Sequence, residues 1–285
     1  VPLAIDSTVD STVPKASIFT GSNHTARPML ACALLILAAF TAYHNSFFGP
    51  FIYDDVPAIK DNPTIRQLWP LSTVLSPPND SGITVNGRPL LNFTLALNYA
   101  LGGTEVVGYH IFNLIVHIAA GLFLFGLVRR TLELPIFRGK WAGGHGLMLA
   151  FAIAMIWIVH PLQTESVTYV IQRAESLVGM LYLATFYCFV RSIGSSRAAV
   201  WQLLAVLACL CGMASKEVMV SAPLLVFFYD RAYVSGSFRV AWERHRLLYW
   251  GLSATWLLLA YLVTNTGNRG GTAGFGVGGV SNWHY

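Results

Sequence analysis

Charge is what this sequence has least of. Acidic and basic residues make up 11% of its 285 positions, where a soluble domain of similar size carries about a quarter. Those it has fall between long apolar blocks, and 55% of the chain is hydrophobic, so a water-soluble globule is excluded. Strict apolar and polar alternation in segments of about ten is lacking as well, which excludes an outer-membrane barrel. Cysteine is sparse. Cys32, Cys188, Cys209 and Cys211 all lie inside apolar runs, so they read as helix-packing residues rather than a disulfide framework or a zinc site. No basic n-region with a cleavage site opens the chain, and residues 1–27, rich in Ser, Thr and Val, read as a mobile cytoplasmic tail. No 34-residue repeat is found.

What is there is a set of apolar runs. They predict an all-α polytopic membrane domain over residues 28–266, with about seven transmembrane helices near 28–48, 107–128, 147–160, 174–190, 199–214, 218–229 and 247–265. Between the first two lies a long outer loop, 49–105. Within it, Pro89 to Leu101 places Leu90, Phe93, Leu97 and Leu101 at helical spacing, with Asn92 and Asn98 off that stripe, which predicts an interfacial helix. Residues 267–285 form a glycine-rich outer loop, expected to be mobile, at which the chain stops as if interrupted.

The basic residues test this threading. With the N-terminus cytoplasmic, the inner segments hold 12 of the 18 basic residues and only five of the 13 acidic ones. Among them are Arg129, Arg130, Arg239 and Arg244. That asymmetry is the positive-inside pattern. The net charge of +5 is therefore topological, and nucleic acid is not implied as a partner.

Four polar features then face the opposite compartment. The doublet Asp54-Asp55 stands just past the first span, Arg88 just before the interfacial helix, His160 to Glu175 between two spans, and Lys216-Glu217 in a turn. Charges of both signs converging beside a membrane suit an anionic lipid headgroup next to an acid or base. Arg88, Arg173 and Lys216 can neutralise a phosphate, the arginines bidentately. Asp54 or Asp55 can take a proton from an attacking hydroxyl within hydrogen-bond reach. The plainer readings are a solvated loop start for the aspartates and surface pairing for Arg173–Glu175 and Lys216–Glu217. His110, Asn113 and His117 share one helical face, fit for interhelical hydrogen bonds or a site wall. Two histidines without a third ligand are a weak metal signal, and hard cations take carboxylate oxygens, which admits a divalent ion beside the two aspartates although no third oxygen ligand is identifiable. Asn23-His-Thr25, Asn79-Asp-Ser81 and Asn92-Phe-Thr94 are glycosylation sequons.

The order and spacing of several short motifs resemble one family. They are Tyr53-Asp-Asp55 with Asn62, Gly87-Arg-Pro-Leu90, Gly108-Tyr-His110 with Asn113 and His117, His160-Pro161 with Glu165 and Arg173-Ala-Glu175, and Ser215-Lys-Glu217 ahead of Tyr229-Asp230. Together, over roughly residues 30–285, they resemble the N-terminal membrane half of the transmembrane and tetratricopeptide-repeat O-mannosyltransferase-like proteins and their bacterial relatives. The resemblance implies a GT-C-like membrane glycosyltransferase that takes a mannose-like sugar from a polyprenyl-phosphate donor, by inversion, on the non-cytoplasmic side. A protein hydroxyl or a glycan would be the acceptor, in an inner, plasma or endoplasmic-reticulum membrane.

The resemblance also assigns roles: the base to Asp54 or Asp55, and contact with the lipid phosphate to Arg173, Lys216 and Arg88. From the polar pattern itself, His110, His117, His160, Glu165, Glu175 and Glu217 are read as the site wall. No redox or organic cofactor is required for such a transfer. Two other readings stand beside it: a non-catalytic membrane subunit that scaffolds a larger complex, and a flippase for a lipid-linked substrate.

Overall fold

The computed structural model describes residues 23–78, 83–137, 139–141 and 144–266, with side chains from residue 26 onward. The expectations for residues 1–22, for the glycine-rich 267–285, and for the sequons beginning at Asn23 and Asn79 lie outside the described residues or side chains. Every regular element described is helical.

Helix α1 (Asn23–Tyr43) leads into an irregular segment that ends in the short helix α2 (Leu71–Val74). Next comes α3 (Pro89–Gly102), which starts with proline at its first position and stops at Gly103, whose φ of 59° favours glycine. The long α4 (Val106–Leu132) carries Arg129 and Arg130 in its last turn, where the helix dipole favours positive charge. After it come α5 (His145–Ile158), α6 (Thr164–Thr168), α7 (Arg173–Ser192), α8 (Ala198–Met213), α9 (Ala222–Tyr229) and α10 (Phe238–Asn265).

Each expected span falls on a helix, but length and hydropathy separate them. Among the described residues four stretches are long and apolar enough to cross a bilayer: Ala26–Ser46, Val106–Leu132, Glu217–Ser235 and Phe238–Asn265. A fifth arises if α5 and the segment Pro161–Thr168, bent by 52° at His160-Pro161, count as one span. The expected seven thus reduce to four or five on these criteria. Two causes account for the rest. Helix α8 has 16 residues, short of the roughly 20 that a bilayer needs, and α7 carries Arg173 and Glu175 at one end and Arg191 at the other.

Three apolar clusters hold the molecule. One joins α1, α4 and α5 through Leu35, Leu114, Ala150 and Ile158. A second joins α7 to α10 through Phe189, Cys209, Met213 and Leu252. Helices α4 and α7 connect these two groups. Small residues let α4 approach its neighbours closely: a Cβ on Gly121 would lie 2.5 Å from Ile158, and one on Gly126 would lie 2.6 Å from the Tyr187 ring. The third cluster is a cap over one end of the bundle. There Ile59, Ile65, Val74, Leu91 and Leu95 pack on Tyr109, Val170 and Ile171.

In the cap, α3 turns its asparagines inward. Asn92 is fully buried, donating to Thr64 Oγ1 at 2.8 Å and to the Val74 carbonyl at 2.7 Å, while Asn98 donates to the Gly108 carbonyl at 3.0 Å. The sequon at Asn92 is therefore closed to glycosylation in the folded chain. Of the stripe, Leu101 is exposed and Leu90, Phe93 and Leu97 are half-buried, with Phe93 packed against the cap core.

Candidate functional site

The two adjacent aspartates do different things. Asp55 is 1% exposed, and its carboxylate accepts two backbone N–H bonds, from Ile52 at 3.0 Å and from Ile171 at 2.8 Å. It closes its own turn and pins that turn to the segment leading into α7. Burial pushes its carboxyl above the ordinary range; those two N–H groups and His110 oppose the shift, and Asp54 adds to it. Asp54, by contrast, is exposed. Its backbone N–H donates to Tyr169 Oη at 3.0 Å, and its carboxylate accepts from Thr84 Oγ1 at 3.3 Å. The preceding Tyr53 has a φ of 41°, rare for a residue with a side chain, so the turn holds its backbone in an uncommon conformation beside Asp54.

From Asp54 a rim of polar contacts runs around the cap. The carbonyl of Thr84 accepts from Arg88 Nη1 at 2.9 Å, and Arg88 pairs with Glu217 at 3.5 Å. Next to Glu217, Lys216 pairs with Glu175 in the first turn of α7. A backbone bond from Leu90 N–H to the Ala214 carbonyl, at 3.0 Å, fixes the start of α3 against this turn. The expected doublet, Arg88, Lys216, Glu175 and Glu217 therefore stand at one end of the molecule, although more than 160 positions separate Asp54 from Glu217. Glu175 continues into a cavity of about 330 Å³ among α4, α5 and α7, which is also lined by His117, Trp157, Glu165, Gln172 and Gly179. Gln172 bridges toward Glu165 at 3.4 Å. Asp54, Arg88 and Lys216 are outside the lining of this cavity.

Arg173 departs from its expected place. It is fully buried beneath the rim, and each nitrogen of its guanidinium is engaged. Nε donates to Asn113 Oδ1 at 2.6 Å, Nη1 to the Thr94 carbonyl at 3.2 Å, and Nη2 to the Tyr109 carbonyl at 3.0 Å. The cation lies 4.3 Å from the centre of the Phe112 ring, and the Asp55 carboxylate interacts with it electrostatically. As placed, it has no open face for a phosphate, and its geometry is that of a pin joining α3, α4 and α7.

The polar stripe on α4 binds its neighbours in the same way. His110 Nε2 pairs with the Gly49 carbonyl at 3.0 Å, Asn113 donates to the Val170 carbonyl at 3.1 Å, and His117 Nε2 pairs with the Ile158 carbonyl at 2.7 Å while stacking on Trp157. His160 is exposed and caps its turn by accepting the Leu162 N–H at 3.2 Å. Among the described residues no three His, Cys, Asp or Glu side chains come together as a metal site. Two contributors lie outside the expected set. Thr84 links Asp54 to Arg88, and Tyr169 receives the Asp54 N–H. Nothing in the local sequence marks Thr84, whereas Tyr169 stands in the polar connection already singled out.

The sequence matches no family model, and no solved structure matches it. It does match curated proteins. Protein O-mannosyl-transferase Tmtc3 of Drosophila melanogaster is 30% identical over 205 residues, covering 65% of this chain and 22% of its own length. Protein O-mannosyl-transferase TMTC1 of Homo sapiens is 31% identical over 220 residues, covering 71% and 24%. Protein O-mannosyl-transferase Tmtc1 of Drosophila melanogaster is 32% identical over 198 residues, covering 67% and 22%. The chain thus spans about a quarter or less of the length of these relatives. It is a homologue of the TMTC protein O-mannosyl-transferases, and what it shares with them fits their N-terminal membrane region.

Proposed function

We propose that this chain is the membrane part of a GT-C-like glycosyltransferase that moves a mannose-like sugar from a polyprenyl phosphate to a hydroxyl, of a protein or a glycan, at the polar rim. One observation carries the reading: Asp54 is an exposed carboxylate held at the start of a contact path that reaches Arg88 and then Lys216. In the reaction, the acceptor oxygen attacks the anomeric carbon of the sugar as its proton passes to Asp54. The bond from that carbon to the phosphate oxygen breaks, and the polyprenyl phosphate departs with the electron pair. Attack opposite the leaving group inverts the configuration.

Each neighbour has a supporting task. Asp55 is a positioning residue, since its two backbone acceptor bonds hold the turn that presents Asp54. Arg88 and Lys216 receive the charge that develops on the departing phosphate. Lys216 is paired with an exposed glutamate, and exposed pairs contribute only about 0.2–1 kcal/mol, so a phosphate can recruit this cation at little cost. Arg173 supports the floor beneath them. The rim faces the non-cytoplasmic side in this reading. The homologues' names favour transfer over a scaffold or a flippase.

The test is transfer of radiolabelled mannose from polyprenyl-phosphate mannose in proteoliposomes. Asp54→Asn should lose about 100- to 10,000-fold in rate with unchanged folding, which is the span of general-base contributions. A wild-type rate in this variant would eliminate Asp54 as the base.

A further inference from the structure

The other end of α4 bears a hollow unrelated to the rim. Helix α4 has 27 residues, so this end lies roughly 40 Å from its start at 1.5 Å per residue. Between α1, α4 and α7 runs a groove of about 440 Å³, within the ~300–1,000 Å³ usual for small-molecule sites. Its walls are almost wholly apolar, with Cys32 and Ile36 from α1, Phe125 from α4 and Tyr187 from α7. The hollow follows from side-chain size: α1 presents Cys32 and Ala33 where larger residues would fill the space, while Gly126 lets α7 close against α4 on the far side.

Arg129 and Arg130 also line this groove. Arg129 is partly committed, with Nε on Glu133 Oε1 at 3.1 Å. Arg130 is half-buried and makes no hydrogen bond or ion pair with any described residue. An apolar trough ending in an uncommitted guanidinium has the two-part chemistry of a phospholipid, a hydrocarbon chain joined to a phosphate. Basic pockets between membrane helices on the positively charged side take anionic headgroups in the same way. A helix-dipole role for the two arginines accounts for their place in the last turn of α4 but not for the hollow beside them.

We propose that this groove binds one acyl chain of an anionic phospholipid, with the phosphate on Arg130 and Arg129 beside it. The occupant would come from the leaflet opposite the rim, and the site stands whether or not the chain transfers sugar.

Native mass spectrometry of the full chain, titrated in detergent with dioleoyl-phosphatidylglycerol or dioleoyl-phosphatidylcholine, tests this directly. Wild type should retain the anionic lipid about fivefold or more over the zwitterionic one, the order expected for one basic group at the headgroups. Arg130→Gln should abolish that preference, and Ala33→Trp, placed on an exposed α1 position that lines the groove, should reduce retention of both lipids. Arg239→Gln, at an exposed residue paired with Glu243 on another helix, should leave the preference intact. Equal retention of the two lipids by wild type would overturn the proposal. So would a preference that survives Arg130→Gln, retention unchanged by Ala33→Trp, or an equal loss with Arg239→Gln, which would mean diffuse charge rather than a site.

Discussion

The floor and the rim of the polar end are built from the same residue types and use them in opposite ways. On the floor, Arg173, Asp55, Asn92 and Asn113 are all at or below 1% exposure, and their hydrogen bonds go to backbone carbonyls, to backbone N–H groups, and to neighbouring side chains such as Asn62 and Thr64. On the rim, Arg88, Glu175, Lys216 and Glu217 form ion pairs whose side chains remain 14–43% exposed. A buried charge is tolerated only when it is saturated with partners. A pair that keeps contact with water exchanges its partners more readily. Capacity for chemistry therefore lies with the rim, and the floor determines where the rim stands.

The sharpest break in that comparison is Arg173→Met. It removes the guanidinium donors from the Thr94 and Tyr109 carbonyls and from the Asn113 amide oxygen in a dry interior, and it removes the positive charge that offsets Asp55. A loss on the order of 3–5 kcal/mol is expected, read as a large drop in the thermal unfolding midpoint in detergent. Lys216→Met should barely move that midpoint. Equal midpoints for the two variants would erase the distinction between floor and rim.

Asp55→Asn probes the floor more gently and adds a dependence on pH. Because burial raises the carboxyl's pKa, the folded state holds that proton more tightly than the unfolded chain does. Stability is then fullest at acid pH and declines as pH rises from the ordinary 3.8 through the raised folded value. Asparagine cannot titrate, and it turns an amide N–H2 toward a backbone N–H where the neutral acid presents a hydroxyl oxygen that can still accept, so the variant should be weaker by about 1–3 kcal/mol at low pH. The gap to wild type should narrow as pH increases. Unfolding midpoints measured across that range check it, and a gap that widens would mean that Asp55 is stabilised as the charged form.

Much of the scaffold was legible in the apolar runs, since each expected span coincides with a helix and the α3 stripe separates from its asparagines as its periodicity predicts. Tertiary partners were not legible. Asp54 and Asp55 look alike in the sequence, and the partner that tells the buried one apart, the Ile171 N–H, lies 116 positions away. Arg173 follows a polar connection and reads as a surface residue, yet its acceptors come from positions 60 to 79 residues earlier in the chain. On length and composition, four or five of the seven expected spans remain among the described residues. Hydropathy marks where a chain is apolar, whereas crossing requires a sufficient uninterrupted length, and α8 falls short of that.

The smallest effect belongs to the Lys216–Glu175 pair, and it is the one that separates stability from function most cleanly. Both side chains keep contact with water, 24% and 43% exposed, so Lys216→Gln should cost no more than about 0.2–1 kcal/mol. Molar salt should shrink that difference further, because screening then acts over about 3 Å. Glu175→Gln should cost a similar amount. In transfer assays the two variants should diverge. On the proposed function, losing the lysine removes a cation from the donor phosphate and should raise the donor KM several-fold, whereas losing the glutamate takes away one competing anion and should leave the donor KM equal or lower. Parallel increases in KM would mean that the pair acts only as a strut between α7 and the turn before α9, and the phosphate would then rest on Arg88 alone.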